Sequence, residues 1–215
     1  MLAIRKAIKY GFTLSLAIYC SNAVHAQSFR YGITAGVSYA KPEGYKGVTG
    51  FKVGGVAAYD FSNEARLAPF VQGELKYSQL GLKEVIYFAG GEVSTATYRS
   101  RLHYIEMPLT AGLRWYANES QALFVKAGLI LRYGVGENAK VSGLPYDTSG
   151  FTLFDDGYYK RFEAAGTVGL GFDFSKHIQL SVTRDFCFGH LKNKGSNSIF
   201  PHRNQEWTVN GTYFF

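Results

Sequence analysis

Cysteine and proline are the scarce residues of this chain: two and five among 215. Cys20 lies in a leader-like segment, which leaves Cys187 alone and excludes an internal disulfide. With no His or Lys beside it, Cys187 reads as a small, half-buried side chain rather than a reactive thiol. Long apolar runs are missing too. The best is Tyr10 to Cys20, shorter than the roughly 20 residues a spanning helix needs. Mean hydropathy is close to zero, which excludes a bundle of membrane helices. Acids are absent from the first 26 residues, which carry Arg5, Lys6 and Lys9 before the apolar run and end in Val24-His25-Ala26. That is the order of an export signal, with cleavage expected after Ala26 and residues 27–215 forming one domain. The run's length argues against a retained anchor, and the bulky Tyr19 argues against a lipid-modified Cys20. Cleavage removes three bases, so the net charge of +7 becomes +4. Export sets nucleic acid aside as a partner.

What the chain has in plenty is glycine, tyrosine and phenylalanine: 25, 16 and 17. With little proline they suit a β protein with close backbone packing. The clearest strand is Leu102 to Tyr116. Ile105, Met107, Leu109, Ala111, Leu113 and Trp115 fall on one face, and Tyr104, Glu106, Pro108, Thr110, Gly112 and Arg114 on the other. Strict alternation is the mark of a strand whose two faces meet different surroundings. The same pattern predicts strands at Phe29 to Tyr39, Phe51 to Phe61, Leu67 to Gln79, Ala122 to Tyr133, Arg161 to Phe174, His177 to Gly189 and Gln205 to Phe215. Short connections (Ser62 to Arg66, Ala117 to Gln121, Ser175-Lys176) alternate with long ones (Lys41 to Gly50, Leu80 to Arg101, Gly134 to Lys160, His190 to Asn204).

These features predict an all-β fold, an eight-stranded antiparallel up-and-down transmembrane β-barrel. Short turns and both termini are expected in the periplasm and long loops outside, in the outer membrane of a Gram-negative bacterium. A soluble lipocalin-like binder has the same strand count with its apolar face turned inward. Two features favour the membrane. Aromatics sit at strand ends on the apolar face, as in Tyr31 and Tyr39 or Phe162 and Phe172, where interfacial girdles lie. The polar face carries many glycines, among them Gly32, Gly36, Gly54, Gly128, Gly169 and Gly171, as a crowded interior would. Tyr213 and the final Phe215 suit the signal read by the barrel-assembly machinery, the expected partner in biogenesis.

Strand parity sends Arg30, Lys52, Lys76, Arg114, Lys126, Arg132 and Arg161 to the lumen, with Asp60, Glu74, Glu106, Glu163, Asp173, Asp185 and Glu206. The two sets balance. Buried charges are costly unless paired, so a charge network filling a narrow, largely plugged lumen is expected. Arg184 falls on the apolar face, through a bulge or by snorkelling. Lys192, Lys194 and Arg203 in the fourth loop could contact lipopolysaccharide phosphates; a solvated loop is the plainer reading. Glu137, Asp147, Asp155 and Asp156 match no calcium-loop spacing. Gly166 to Gly171 precedes no helix and is no phosphate loop. Ser100 and His103 lie near the outer rim but form no recognisable nucleophile–base spacing. No cofactor or metal is expected.

Tyr104-Ile105-Glu106-Met107-Pro108-Leu109 resembles the Y-[LI]-E-[IV]-P-L signature of outer-membrane β-barrel proteins of Bacteroidota, the PorT-like family, with Met107 a departure. The resemblance implies an outer-membrane barrel and, because some members are associated with secretion machinery, envelope secretion components as partners. Proline at 108 cannot donate to a ladder and predicts a local break. Glu106 is expected to pair with Arg114 or with a base on a neighbouring strand. The reading is a non-enzymatic barrel, structural or accessory, or a narrow porin-like channel. The alternatives are a rim enzyme acting on outer-membrane lipid and a secreted lipocalin-like binder.

Overall fold

A computed structural model describes residues 28–40, 47–62, 65–88, 94–142, 160–188 and 205–215, with side chains for all of these except 28, 82–100 and 139–142. The strands are β1 (Ser28–Ala40), β2 (Val48–Asp60), β3 (Leu67–Phe88), β4 (Ser94–Tyr116), β5 (Ala122–Ser142), β6 (Phe162–Asp173), β7 (Ile178–Cys187) and β8 (Gln205–Phe214). Each pairs antiparallel with the next, and β8 returns to β1 to close the barrel. No sheet edge is then left unpaired around the ring, as a bilayer requires.

The register gives the tilt. A row of paired residues starts at Tyr39 and runs through Trp207, Arg184, Val168, Ala127, Ala111, Val71 and Tyr59. It returns to β1 at Phe29, ten residues from where it began. Over eight strands, a rise of about 3.3 Å and a spacing of about 4.8 Å convert that stagger to a tilt of about 40°.

Alternation sorts the side chains as the sequence pattern predicts. None of the residues assigned to the apolar face is buried, and Ile33, Leu75, Leu109, Leu129 and Leu170 lie open to the surroundings. Inward positions are buried and mostly polar. A soluble binder of apolar ligands needs the opposite arrangement, so that alternative is set aside. Aromatics form two outward belts. Tyr31, Trp115, Phe174, Tyr213 and Phe215 lie toward the short turns, and Tyr39, Phe51, Tyr133, Phe162, Phe188 and Trp207 toward the long connections.

Local chemistry closes the short turns. Asn118 Oδ1 accepts from the backbone N–H groups of Ser120 (3.0 Å) and Gln121 (2.8 Å). Ser175 Oγ accepts from those of His177 (3.2 Å) and Ile178 (3.1 Å). Such side chains imitate a backbone turn. Pro108 has the expected effect: the β3–β4 ladder lapses between Gly73↔Leu109 and Lys76↔Glu106.

The structure corrects two connections. Much of the stretch from Leu80 to Arg101 is strand, as is Gly134 to Ser142, so β3, β4 and β5 run well past the aromatic belt on the side of the long connections. Beyond the apolar band no lipid selects outward apolar residues, so these extensions carry no clean alternation. A shift in the β4–β5 register between His103 and Tyr104 marks where they leave the belt.

Candidate functional site

The lumen gathers the charged residues into three layers, each built from strands far apart in sequence. The layer nearest the long connections centres on Lys52 and Arg132. Lys52 Nζ lies 3.0 Å from Glu106, 3.0 Å from Glu206 and 3.3 Å from Asp185. Arg132 meets the same three acids at 3.0, 2.9 and 2.7 Å, and Glu163 at 3.7 Å. The partners of Glu106 are therefore Arg132 across the β4–β5 ladder and Lys52 across the lumen, rather than Arg114. Neutral groups complete the layer. Ser78 Oγ donates to Glu106 (2.8 Å), Thr167 Oγ1 to Asp185 (2.8 Å), and the buried Cys187 thiol to Glu163. Two cations thus face four carboxylates. Glu206 Oε1 is buried with no protein partner.

In the middle layer Glu74 accepts from Lys76 (2.7 Å), Lys126 (3.3 Å) and Gln72 (3.0 Å). These two cations on one acid lean the opposite way. The third layer lies toward the short turns. Arg114 pairs with Asp60 and reaches Asp173 at 2.7 Å, and Arg30 meets Asp60 at 3.0 Å. Gln179 Nε2 donates to Asp173 at 2.8 Å. Rings pack on its guanidinium groups: Arg114 stacks 4.4 Å from the Phe70 centroid and Arg30 4.4 Å from that of Phe214. Phe70 and Phe124 meet edge to face at 5.8 Å. Below it opens a cavity of about 840 Å³ bordered by Arg30, Asp60, Arg66, Tyr116, Asp173 and His177.

Burial is deep. Arg114, Arg132, Glu106 and Glu206 are each at 0% exposure, so these side chains are fully enclosed within the barrel. Parity also sends Arg161 inward. It is half-buried at the rim and donates to the Gly134 carbonyl at 3.1 Å. The inward rings Phe70, Phe124 and Phe214 and the hydroxyls of Ser78 and Thr167 were not singled out from sequence. Their inward parity within alternating strands is the available signal.

The remaining candidates disperse. His103 is half-buried, with Nδ1 bonded to the Tyr77 hydroxyl and Nε2 3.2 Å from Asn138 Nδ2. The Ser100 side chain lies outside the described residues, as do Lys192, Lys194, Arg203, Asp147, Asp155 and Asp156. Among the described residues no cluster of His, Cys, Asp or Glu is fit to hold a metal ion. Tyr213 and Phe215 point outward and pack together, and Phe215 also packs on Tyr31.

Residues 25–193 match the family described as outer membrane protein beta-barrel domain. No curated protein matches the chain. Among solved structures it is similar to Ail, the attachment invasion locus protein of Yersinia pestis, at 16% identity over 88% of this chain and 99% of that one, TM-score 0.40. It is also similar to Neisserial surface protein A, at 13% identity over 89% and 100%, TM-score 0.45. A third is the outer membrane enzyme PagL, at 13% identity over 84% and 97%, TM-score 0.37.

Proposed function

From the premise that the chain belongs to the outer membrane beta-barrel domain family, and so to the Gram-negative outer membrane, we propose that it is a non-enzymatic, electrically closed barrel. Its work is structural or accessory and is done at its ends. The observation that carries this is the lumen: three layers of ion pairs and rings span the bore. An open channel needs a continuous wet path, whereas here the largest charged side chains sit across it.

In this reading the short turns and both termini face the periplasm. The extended β3, β4 and β5 then project outside, where partners such as envelope secretion components would meet them. The Tyr104-to-Leu109 motif supports a place among PorT-like proteins of Bacteroidota. The outward Tyr213 and Phe215 act as the assembly signal. No recognisable nucleophile–base spacing at the rim points to catalysis. Both nitrogens of His103 are, besides, already engaged.

Conductance of the refolded protein in a planar bilayer tests the closed barrel. The wild type should be silent. Glu106→Ala, which removes a carboxylate shared by Lys52 and Arg132, should at most flicker. Steady wild-type openings that change with Glu106→Ala would overturn the reading and make the layers a gate. Lipid A of unchanged composition in a deletion strain is the matching expectation for a non-enzyme.

A further inference from the structure

One charge in the described barrel stands on the wrong face. Arg184 shares the outward parity of Leu180 and Val182 on β7. The ladders to β6 and β8 run through it without a shift, opposite Val168 and Trp207. No bulge explains its position; it snorkels. Its guanidinium packs 5.1 Å from the Trp207 centroid and 5.0 Å from that of Phe186. Nη2 donates to Gln205 Oε1 at 3.0 Å. Gln205 pairs with Phe186, two residues nearer the long connections than Arg184 itself. The side chain therefore climbs from the apolar band to the level of the aromatic belt on the side of the long connections.

A lipid-facing arginine costs roughly 2–4 kcal/mol at the midplane and about 0–1 kcal/mol near an interface. Climbing lowers that cost but leaves the charge unmatched. Among the described residues no carboxylate pairs with Arg184, and its Nε is buried without an acceptor. A guanidinium has five donors in a planar fork. Gln205 takes one, and the two rings cover its faces without accepting hydrogen bonds along the fork. With Nε buried, the donors left for a ligand are those of Nη1 and the second of Nη2, at the end of the fork.

We infer that Arg184, framed by Trp207, Phe186 and Gln205, is a binding site for the phosphate of a membrane lipid headgroup. Phosphate oxygens match the fork in a bidentate manner and supply the missing negative charge. The rings hold the guanidinium in place, so little side-chain freedom is lost on binding. The chemistry is the same whether the phosphate belongs to lipid A of the outer leaflet or to a phospholipid. The site is independent of whether the lumen conducts.

The test uses the full chain in micelles, with retained lipid counted by native mass spectrometry after addition of lipid A, dephosphorylated lipid A or phosphatidylglycerol. Arg184→Leu should lower retention of the phosphorylated ligand by roughly tenfold, the size expected for losing a charge-assisted contact. Arg184→Lys, which keeps the charge without the fork, should lose less. Arg66→Leu, which removes the arginine stacked on Trp115 at the opposite rim, should lose little. Dephosphorylated lipid A should bind the wild type as weakly as lipid A binds Arg184→Leu. A loss confined to phosphatidylglycerol would assign the site to a phospholipid. Retention unchanged in Arg184→Leu for both phosphorylated probes would overturn the inference. Because Arg184→Leu removes a charge from the lipid face, it should fold; Arg184→Gln serves as the second uncharged variant.

Discussion

The layer around Arg132 shows how unequal the buried residues are. Its four carboxylates meet two cations, so removing a cation and removing an acid are different operations. Arg132→Met strands Glu106, Asp185 and Glu206 with Lys52 alone, and breaking a buried pair in this way costs about 3–5 kcal/mol. Glu206→Gln removes one excess charge and should change stability by less than about 1 kcal/mol in either direction. Urea unfolding of the refolded protein in micelles measures both. An equal loss in the two variants would mean that the excess charge is neutralised in some other way. Parity placed these side chains in the lumen from sequence alone, because a period of two leaves no third choice. The choice of partners was not legible. Glu106 meets Arg132 and Lys52 rather than Arg114 because of the stagger between strands, which the pattern of one strand does not contain.

At the scale of the strand, backbone contact decides which glycines matter. Gly128 on β5 faces inward, and a Cβ there would run into the Leu109 carbonyl and the Thr110 Cα of β4. Gly211 on β8 faces outward, and a Cβ there would meet nothing within 4 Å. Gly128→Ala should therefore cost at least about 3 kcal/mol or prevent closure, while Gly211→Ala should be neutral. The fraction of heat-modifiable, folded barrel on a cold gel reads out both. Strand existence was legible wherever lipid imposes alternation, and the ends of β1, β2, β6, β7 and β8 lie within a few residues of the pattern. The far ends of β3, β4 and β5 were not, since outside the apolar band both faces of a strand meet the same solvent.

For the whole molecule, closing the barrel places its own demand on β8 and the residue after it. Phe215 packs on Tyr31 and Tyr213 at the surface and donates its backbone N–H to the Tyr31 carbonyl at 2.9 Å, so its ring contributes little to the interior. If the ring acts as an assembly signal, Phe215→Ala should lower the amount of folded barrel in cells severalfold while leaving refolding in detergent unchanged. A matching loss in both would make the ring structural instead. The match of residues 25–193 shows the family; the closed barrel is the proposal that the conductance measurement decides.

The outermost layer also has a bearing on the order of events in folding. Lys52 comes from β2, Glu106 from β4, Arg132 from β5, Asp185 from β7 and Glu206 from β8. No hairpin contains them all, and no open sheet brings the first to the last. Until β8 lies beside β1, Lys52 and Glu206 are charges on a sheet with a wet inner face. A half-built sheet of this sequence is thus a poor resident of lipid, and the chain should enter the bilayer with few stable way stations.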